Sequence, residues 1–272
     1  KCANPELSAW VITGDGDGMA IGGNHFIHLI RRNIDLNVIL FNNKIYGLTK
    51  GQYSPTTDRG FKTKTSPYGT IEEAFVPGQL TIGARGNFFA RTIDTNLKLS
   101  QEVFTEAARH AGTSVVEVLQ NCVIFNDGVH NDITDPAFRE DRQLILRHGE
   151  PMLFGKENSK GIAIIKGKLK VVTIGENGIT PDDILVHDAQ DPDPFLHLAL
   201  VNMSLPDFPV AFGVIRSVEA PVYDREMEAQ IEAVKQISPI RGVNDMLYSG
   251  NTWEVKENGN GQSSPDGCKN RK

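Results

Sequence analysis

A short apolar run at residues 9–13 (Ala-Trp-Val-Ile-Thr) passes straight into alternating glycine and aspartate at residues 14–18. Such a run reads as a buried strand, and the Gly-Asp-Gly-Asp-Gly that follows reads as a turn. Helical spacing takes over from about Ala20 to Arg32, with Phe26, Ile27, Leu29 and Ile30 on its apolar faces. Arg31 and Arg32 close it, where cations favour the helix dipole. Residues 36–41 (Leu-Asn-Val-Ile-Leu-Phe) are a second buried strand. Strand, helix and strand in this order make a βαβ unit, which requires a parallel sheet and a right-handed crossover. The chain is therefore expected to be α/β.

The same reading extends along the chain. Residues 48–70 show no periodicity, which marks a long functional loop. Helices are expected over 74–85 and 100–110, with strands at 88–93 and 114–119. Beyond Asn126 the texture changes to short strands around Gly and Lys turns, at 143–147, 161–165, 169–174, 184–187 and 211–215, with helices near 195–203 and 224–236. Three segments follow: a domain over 1–125, an α+β C-terminal extension packed on it over 126–250, and a tail over 251–272 too poor in apolar residues to order itself. No repeat is present.

Charge and composition remove whole classes. The formal net charge is −6, which argues against nucleic acid as a partner. No apolar stretch reaches the roughly 18 residues that a membrane span needs, and no signal peptide opens the chain. The 3 cysteines, Cys2, Cys122 and Cys268, are too few and too scattered for a disulfide framework, so a reducing, cytoplasmic setting is expected. The chain begins at Lys1 with no initiator Met, close to its first strand, so an N-terminal segment is expected to be missing.

Two pieces carry the chemistry. Gly14-Asp15-Gly16 and Asn42-Asn43 both lie just past the carboxyl ends of parallel strands, the edge at which open α/β sheets bind ligands. Glycines let backbone amides approach a phosphate. Asp15 offers a carboxylate oxygen and Asn43 an amide oxygen, both suited to Mg²⁺ shared with substrate phosphates. A bare carboxylate beside a diphosphate would be repelled, so the aspartate makes sense with a metal between them. Other readings of the glycines fail on spacing. A dinucleotide fingerprint finds Met19 and Ile21 where it needs glycine, and an EF-hand loop finds Met19 and Ala20 where it needs Asp or Asn and then Gly. The Gly-Lys-Ser/Thr of a phosphate-binding loop is absent. The bland reading is a turn with no cofactor.

Residues 13–25 (Thr-Gly-Asp-Gly-Asp-Gly-Met-Ala-Ile-Gly-Gly-Asn-His) and 41–57 (Phe-Asn-Asn-Lys-Ile-Tyr-Gly-Leu-Thr-Lys-Gly-Gln-Tyr-Ser-Pro-Thr-Thr) carry a resemblance. They contain the thiamine-diphosphate fingerprint, and together they resemble the beta subunit of 2-oxoacid:ferredoxin oxidoreductases, within it the 2-oxoglutarate type. The likeness continues through Leu119-Gln120-Asn121-Cys122 and Phe125-Asn126-Asp127-Gly128, and more weakly through residues 146–152, so that it covers most of 8–155. It implies a parallel-sheet, thiamine-diphosphate-binding domain of the diphosphate type with a C-terminal α+β extension.

The resemblance also implies roles. Asp15 and Asn43 match Mg²⁺ ligands, and Ile45 a ligand through its carbonyl. Gly14, Gly16, Asp17, Gly47 and Leu48 match positions around thiamine diphosphate; Lys50 lies near the substrate pocket with its role open. Cys122 matches one ligand of a 4Fe–4S cluster, which is expected only in the complete subunit. The family's other ligands, a Cys-x-x-Cys and a further Cys, have no counterpart here, and Cys2 does not fit that pattern. The implied reaction is oxidative decarboxylation of 2-oxoglutarate with coenzyme A to succinyl-CoA and CO₂. Its implied partners are an alpha subunit, which supplies the cofactor's other half-site, and ferredoxin. Pyruvate and branched-chain 2-oxoacids remain alternative substrates, and a non-catalytic truncated remnant an alternative role. The residues assign no catalytic side chain. His25 and His28 share a helical face but lack a third ligand, so they are expected to pack beside the cofactor loop; Asp182–Asp193 is expected to be a solvated face.

Overall fold

The computed structural model describes residues 1–252 of the chain. Cys268 and all but the first two residues of the expected 251–272 tail lie outside the described residues. Residues 1–224 form one compact unit, and the described residues from 225 onward belong to a second.

The chain opens with β1 (Trp10–Gly14), α1 (Asp15–Met19), α2 (Gly23–Arg32) and β2 (Asn37–Asn42). Next come α3 (Pro77–Gly83), β3 (Phe88–Ile93), α4 (Leu97–Arg109) and β4 (Ser114–Leu119). Two short helices, α5 (Asn131–Thr134) and α6 (Arg139–Arg142), lead to β5 (Gln143–Leu146). A small antiparallel sheet follows, made of β6 (Leu153–Phe154), β7 (Lys160–Ile165) and β8 (Lys168–Thr173). Then come α7 (Phe195–Val201), β9 (Val210–Ser217), α8 (Tyr223–Ile237) and α9 (Val243–Leu247).

The main sheet has the order β1-β2-β4-β3-β9-β5. β1, β2, β4 and β3 run parallel, as the βαβ pattern requires. β9 runs antiparallel to β3, and β5 runs parallel to β9, so the sheet is mixed and mostly parallel. Both added strands come from the segment expected as an extension. Helices cover both faces. Strand alternation sends Phe89, Val115, Val38 and Leu40 into one core with Phe26, Ile30 and Leu200. It sends Phe88, Ala90, Val116 and Val118 into another with Leu99, Val103 and Ala107 of α4. This double coverage explains why β3 and β4 are buried at every position.

Some expected boundaries move for local reasons. The helix expected over 74–85 starts at Pro77, because Val76 is extended and proline suits the first helical turn. Residues 184–187, expected as a strand, make one isolated bridge, Pro151 with Val186. The acidic stretch is exposed at Asp182, Asp183, Asp188 and Asp193, yet its backbone is held from within. Arg216 on β9 donates to the carbonyls of Gly86 (3.1 Å), Asp191 (3.0 Å) and Pro192 (3.3 Å). It also donates to His197 Nδ1 at 2.9 Å, while His197 Nε2 donates to the Asp188 carbonyl at 2.8 Å. A guanidinium only donates, so this pair fixes His197 as the neutral Nε2–H tautomer. His187 lies beside it, edge to face, with Nε2 on the Val214 carbonyl at 2.9 Å.

Burial depresses the pKa of both imidazoles, and Arg216 lowers that of His197 further. Histidines held neutral in the fold but free to ionise when unfolded stabilise the protein above their unfolded pKa of about 6.5. That stability is lost as pH falls below it. Denaturant titrations from neutral pH to about pH 5 are expected to show a steep loss for the natural chain and a flatter one for His197→Gln. Equal slopes would contradict the buried neutral tautomer.

Candidate functional site

Four parallel strands bring their carboxyl ends to one edge, and the motif residues sit there. Gly14 is the extended N-cap (φ −89°, ψ 165°) of α1. The glycine–aspartate stretch, expected as a turn, is thus a helical turn from Asp15 to Met19, and the following helix begins only at Gly23. Asp15 and Asp17 occupy the first turn, where the helix dipole favours negative charge. The backbone breaks at Ala20 (φ −96°, ψ −100°), which separates this turn from α2.

Asp15 is 2% exposed. Ser54 Oγ and Thr56 Oγ1 donate to its Oδ2 at 2.5 and 2.6 Å. Burial raises its carboxyl pKa, while the two hydroxyls and the nearby backbone amides of Asp15 and Gly16 pull it down. Among the described residues no cation pairs with it. A buried carboxylate served by neutral donors is a fitting receptor for a cation, which would replace the water it has lost.

Asn42 and Asn43 continue from β2 into a pair of Asx turns. Asn42 Oδ1 accepts from Lys44 N, and Asn43 Oδ1 from Ile45 N, each at 3.3 Å. Lys44 takes the left-handed conformation (φ 55°) that this turn needs. Thr57 ties the loop down: its hydroxyl donates to the Lys44 carbonyl at 2.6 Å and accepts from Ser54 N at 2.8 Å. Residues 120–130 hold the strand end from the other side. Gln120 Oε1 accepts from Asn43 Nδ2 (3.2 Å), Asn126 Nδ2 donates to the Asn43 carbonyl (3.0 Å), and His130 Nε2 meets the Asn42 carbonyl (3.0 Å). Burial lowers the pKa of His130.

The expected residues fall into groups. Gly16 and the 43–47 loop meet directly, since Tyr46 donates its hydroxyl to the Gly16 carbonyl at 2.8 Å. Asp17 is exposed and accepts from Thr13 Oγ1 at 2.9 Å. Gly47 lies against Cys122 and Phe125, which puts that cysteine beside the loop. Ile45 is buried, whereas Leu48 is 98% exposed. Lys50 is exposed with φ 71°. His25 and His28 are exposed on α2, beside an apolar groove that Val11, Ile12 and Leu29 also line. Among the described residues no group of three or more His, Cys, Asp or Glu side chains is placed to hold a metal. Asp15, expected as a ligand of a hard cation, opens the turn after β1, and Asn43 and Ile45, expected as its other ligands, lie on the turn after β2.

The hydrogen-bonded connection to Asp15 runs through Asn42, because Thr56 Oγ1 also lies 3.0 Å from Asn42 Oδ1. Ser54, Thr56, Thr57 and Tyr46 were given no role from the sequence, and Asn42 none of its own beyond membership of the Asn-Asn pair. The available signal was the hydroxyl cluster at residues 54–57 inside the loop that lacks periodicity.

Comparisons with known proteins agree on one family. The C-terminal TPP binding domain of thiamine pyrophosphate enzymes matches residues 1–118. The 2-oxoglutarate oxidoreductase subunit KorB of Mycobacterium tuberculosis is 39% identical over 256 residues, covering 93% of this chain and 68% of that one. The 2-oxoglutarate synthase subunit KorB of Archaeoglobus fulgidus is 50% identical over 122 residues, covering 45% of this chain and 46% of that one. A solved 2-oxoglutarate:ferredoxin oxidoreductase from Magnetococcus marinus, with 2-oxoglutarate, coenzyme A and succinyl-CoA bound, is similar with a TM-score of 0.67 and 25% identity. That match covers 92% of this chain and 70% of the solved one. The chain therefore spans about two thirds of the Mycobacterium subunit and under half of the Archaeoglobus one.

The two glycines of the turn separate folding from binding. A Cβ on Gly16 would overlap the Tyr46 ring, whereas a Cβ on Gly14 meets nothing within 4 Å. Gly16→Ala is expected to lower thermal stability by pushing Tyr46 out. Gly14→Ala is expected to keep that stability and to weaken thiamine diphosphate binding, as its methyl fills the space beside the helix N-terminus. Calorimetric melting and cofactor titration check both; a destabilised Gly14→Ala with normal cofactor affinity would contradict the assignment.

Proposed function

Because the chain belongs to the 2-oxoglutarate oxidoreductase beta-subunit family, we propose that its sheet edge holds the diphosphate end of thiamine diphosphate through Mg²⁺. We further infer that the assembled enzyme decarboxylates 2-oxoglutarate oxidatively, forming succinyl-CoA and CO₂ and passing electrons to ferredoxin. The observation that carries this reading is Asp15: a buried carboxylate at a strand end, served by the hydroxyls of Ser54 and Thr56, the latter also within 3.0 Å of Asn42 Oδ1.

Asp15 contributes the anionic oxygen for the metal, Asn43 a neutral oxygen, and Ile45 its carbonyl. The N-terminus of α1 and the open space at Gly14 admit the diphosphate, whose charge the helix dipole favours. Gly16, Asp17, Gly47 and Leu48 line the remaining approach. Thiamine diphosphate, when bound, supplies the electron sink for the carbon that loses CO₂. The chain's own task is to fix the diphosphate and exclude water from its metal.

Partners follow from what these residues leave open. Leu48, Val123 and Ile124 are 98%, 71% and 77% exposed, on two loops joined where Gly47 meets Cys122. Exposed apolar side chains beside a polar site favour a protein cover, and we assign that cover to the alpha subunit. It would bring the other half of the cofactor site together with the groups that bind coenzyme A and the 2-oxoacid. Cys122 supplies one thiolate, and a 4Fe–4S cluster takes four. The described residues alone do not fit a cluster, so Cys122 is proposed as one ligand within a complete subunit. Among the described residues no helix is long and apolar enough to cross a membrane. The cytoplasmic placement is a separate proposal, resting on the few, scattered cysteines.

The test uses the complete two-subunit enzyme. Reduction of a viologen dye is expected to require 2-oxoglutarate, coenzyme A, thiamine diphosphate and Mg²⁺, with pyruvate much poorer. Asp15→Ala is expected to lose at least about 2–3 kcal/mol of metal-dependent cofactor affinity. Asn43→Ala is expected to lose less, because water can replace a neutral oxygen. An Asp15→Ala enzyme with unchanged cofactor affinity would overturn the site, and a preference for pyruvate would overturn the substrate.

A further inference from the structure

A second pair of charges lies behind the site, inside the sheet. Arg91 on β3 and Glu117 on β4 face each other in register, with side chains 6% and 2% exposed. Arg91 Nε donates to Glu117 Oε2 at 2.7 Å. Its Nη1 and Nη2 reach the carbonyls of Ala211 and Val201, each at 3.4 Å. A buried ion pair gives little net stability over an apolar pair of the same size. Its presence in two otherwise apolar strands therefore asks for another reason.

The other oxygen of Glu117 supplies one. Glu117 Oε1 accepts from Asn42 Nδ2 at 2.7 Å, within the buried strand ends. A carboxylate can only accept, so it fixes which end of the Asn42 amide faces it. The amide oxygen must then point the other way, toward Lys44 N and Thr56 Oγ1. Thr56 Oγ1 has a single proton, and it is shared between the Asn42 oxygen at 3.0 Å and Asp15 Oδ2 at 2.6 Å. A continuous buried path thus runs Arg91–Glu117–Asn42–Thr56–Asp15. Glu117 sets the Asn42 amide, and between that amide's oxygen and the Asp15 carboxylate Thr56 can act toward both only as the donor of one shared proton. Inverting the Asn42 amide would turn an NH₂ toward Lys44 N and remove the oxygen that faces Thr56.

We propose that Glu117, clamped by Arg91, is a positioning residue for the metal end of the cofactor site, acting through Asn42 and Thr56 on the Asp15 carboxylate. Glu117 touches neither metal nor cofactor. It fixes the amide whose oxygen shares the proton of the hydroxyl that holds the metal-binding oxygen. Partners of metal ligands commonly govern affinity by such orientation, at about 10–100-fold per lost contact. The proposal rests on the reading of Asp15 as a metal ligand.

The test is Mn²⁺ affinity of the complete enzyme with thiamine diphosphate, read by electron paramagnetic resonance, with melting temperature recorded alongside. Glu117→Gln and Thr56→Val are each expected to weaken Mn²⁺ binding about tenfold or more. The double variant is expected to be little worse than the poorer single, because both break one path. Thr56→Ser, which keeps the hydroxyl, is expected to bind nearly as the natural enzyme does. Should Glu117→Gln fail to assemble, Asn42→Ala breaks the path while leaving the ion pair whole, and the same loss is expected. Additive losses in the double variant, or natural affinity in Glu117→Gln or Asn42→Ala, would overturn the proposal. An Asp15→Asn enzyme that binds Mn²⁺ normally would instead overturn the metal-site reading beneath it.

Discussion

Burying a carboxylate costs several kcal/mol unless something replaces its water, and Asp15 is buried among hydroxyls. That imbalance organises the edge of the sheet. Ser54, Thr56 and Thr57 form a hydroxyl cluster that accommodates Asp15 without neutralising it. The charge stays available to a cation, and the helix N-terminus at Gly14 makes the same place suitable for phosphate. Neither device would do alone. A helix N-terminus beside a bare carboxylate would repel a diphosphate, and a carboxylate with a cation but no helix would leave the phosphate unanchored.

The fold serves this site by alignment. Parallel pairing of β1, β2, β4 and β3 brings Gly14, Asn42, Ile93 and Leu119 to one edge. Coverage by helices on both faces keeps β3 and β4 dry, which is what lets Arg91 and Glu117 act as fixed donor and acceptor rather than as solvated charges. Toward the amino end of β3, where it pairs with Phe89, Arg216 binds four acceptors around residues 86, 191, 192 and 197 and anchors a segment whose acidic side chains face outward. Both buried arginines hold backbone carbonyls as well as side chains.

What could be read from the sequence was whatever depends on local pattern. The strands at 88–93 and 114–119 appear in the structure with those bounds, because unbroken apolar runs between turn residues leave little choice. The Gly-Asp-Gly and Asn-Asn pieces were legible because they follow strands. The direction of β9 was not: an apolar run pairs equally well either way, and the chain that leads to it is long. Nor were Ser54 and Thr56 legible as partners of Asp15, since they lie 39 and 41 residues away in a loop without periodicity. The helical turn at 15–19 was missed because glycine is a poor helix former, and here close packing against Tyr46 and Thr13 favours its small size. Arg91 and Glu117 did leave a trace, as single opposite charges inside two apolar strands.

The central claim is that Asp15 binds the metal that carries thiamine diphosphate at this edge. Crystals of the complete enzyme grown with thiamine diphosphate and Mn²⁺ would test it through anomalous scattering at the manganese edge. The account predicts one strong peak at about 2.0–2.2 Å from an Asp15 carboxylate oxygen, with the Asn43 oxygen as a further ligand. A manganese peak away from Asp15, or an ordered diphosphate at this edge with no metal beside it, would contradict the account.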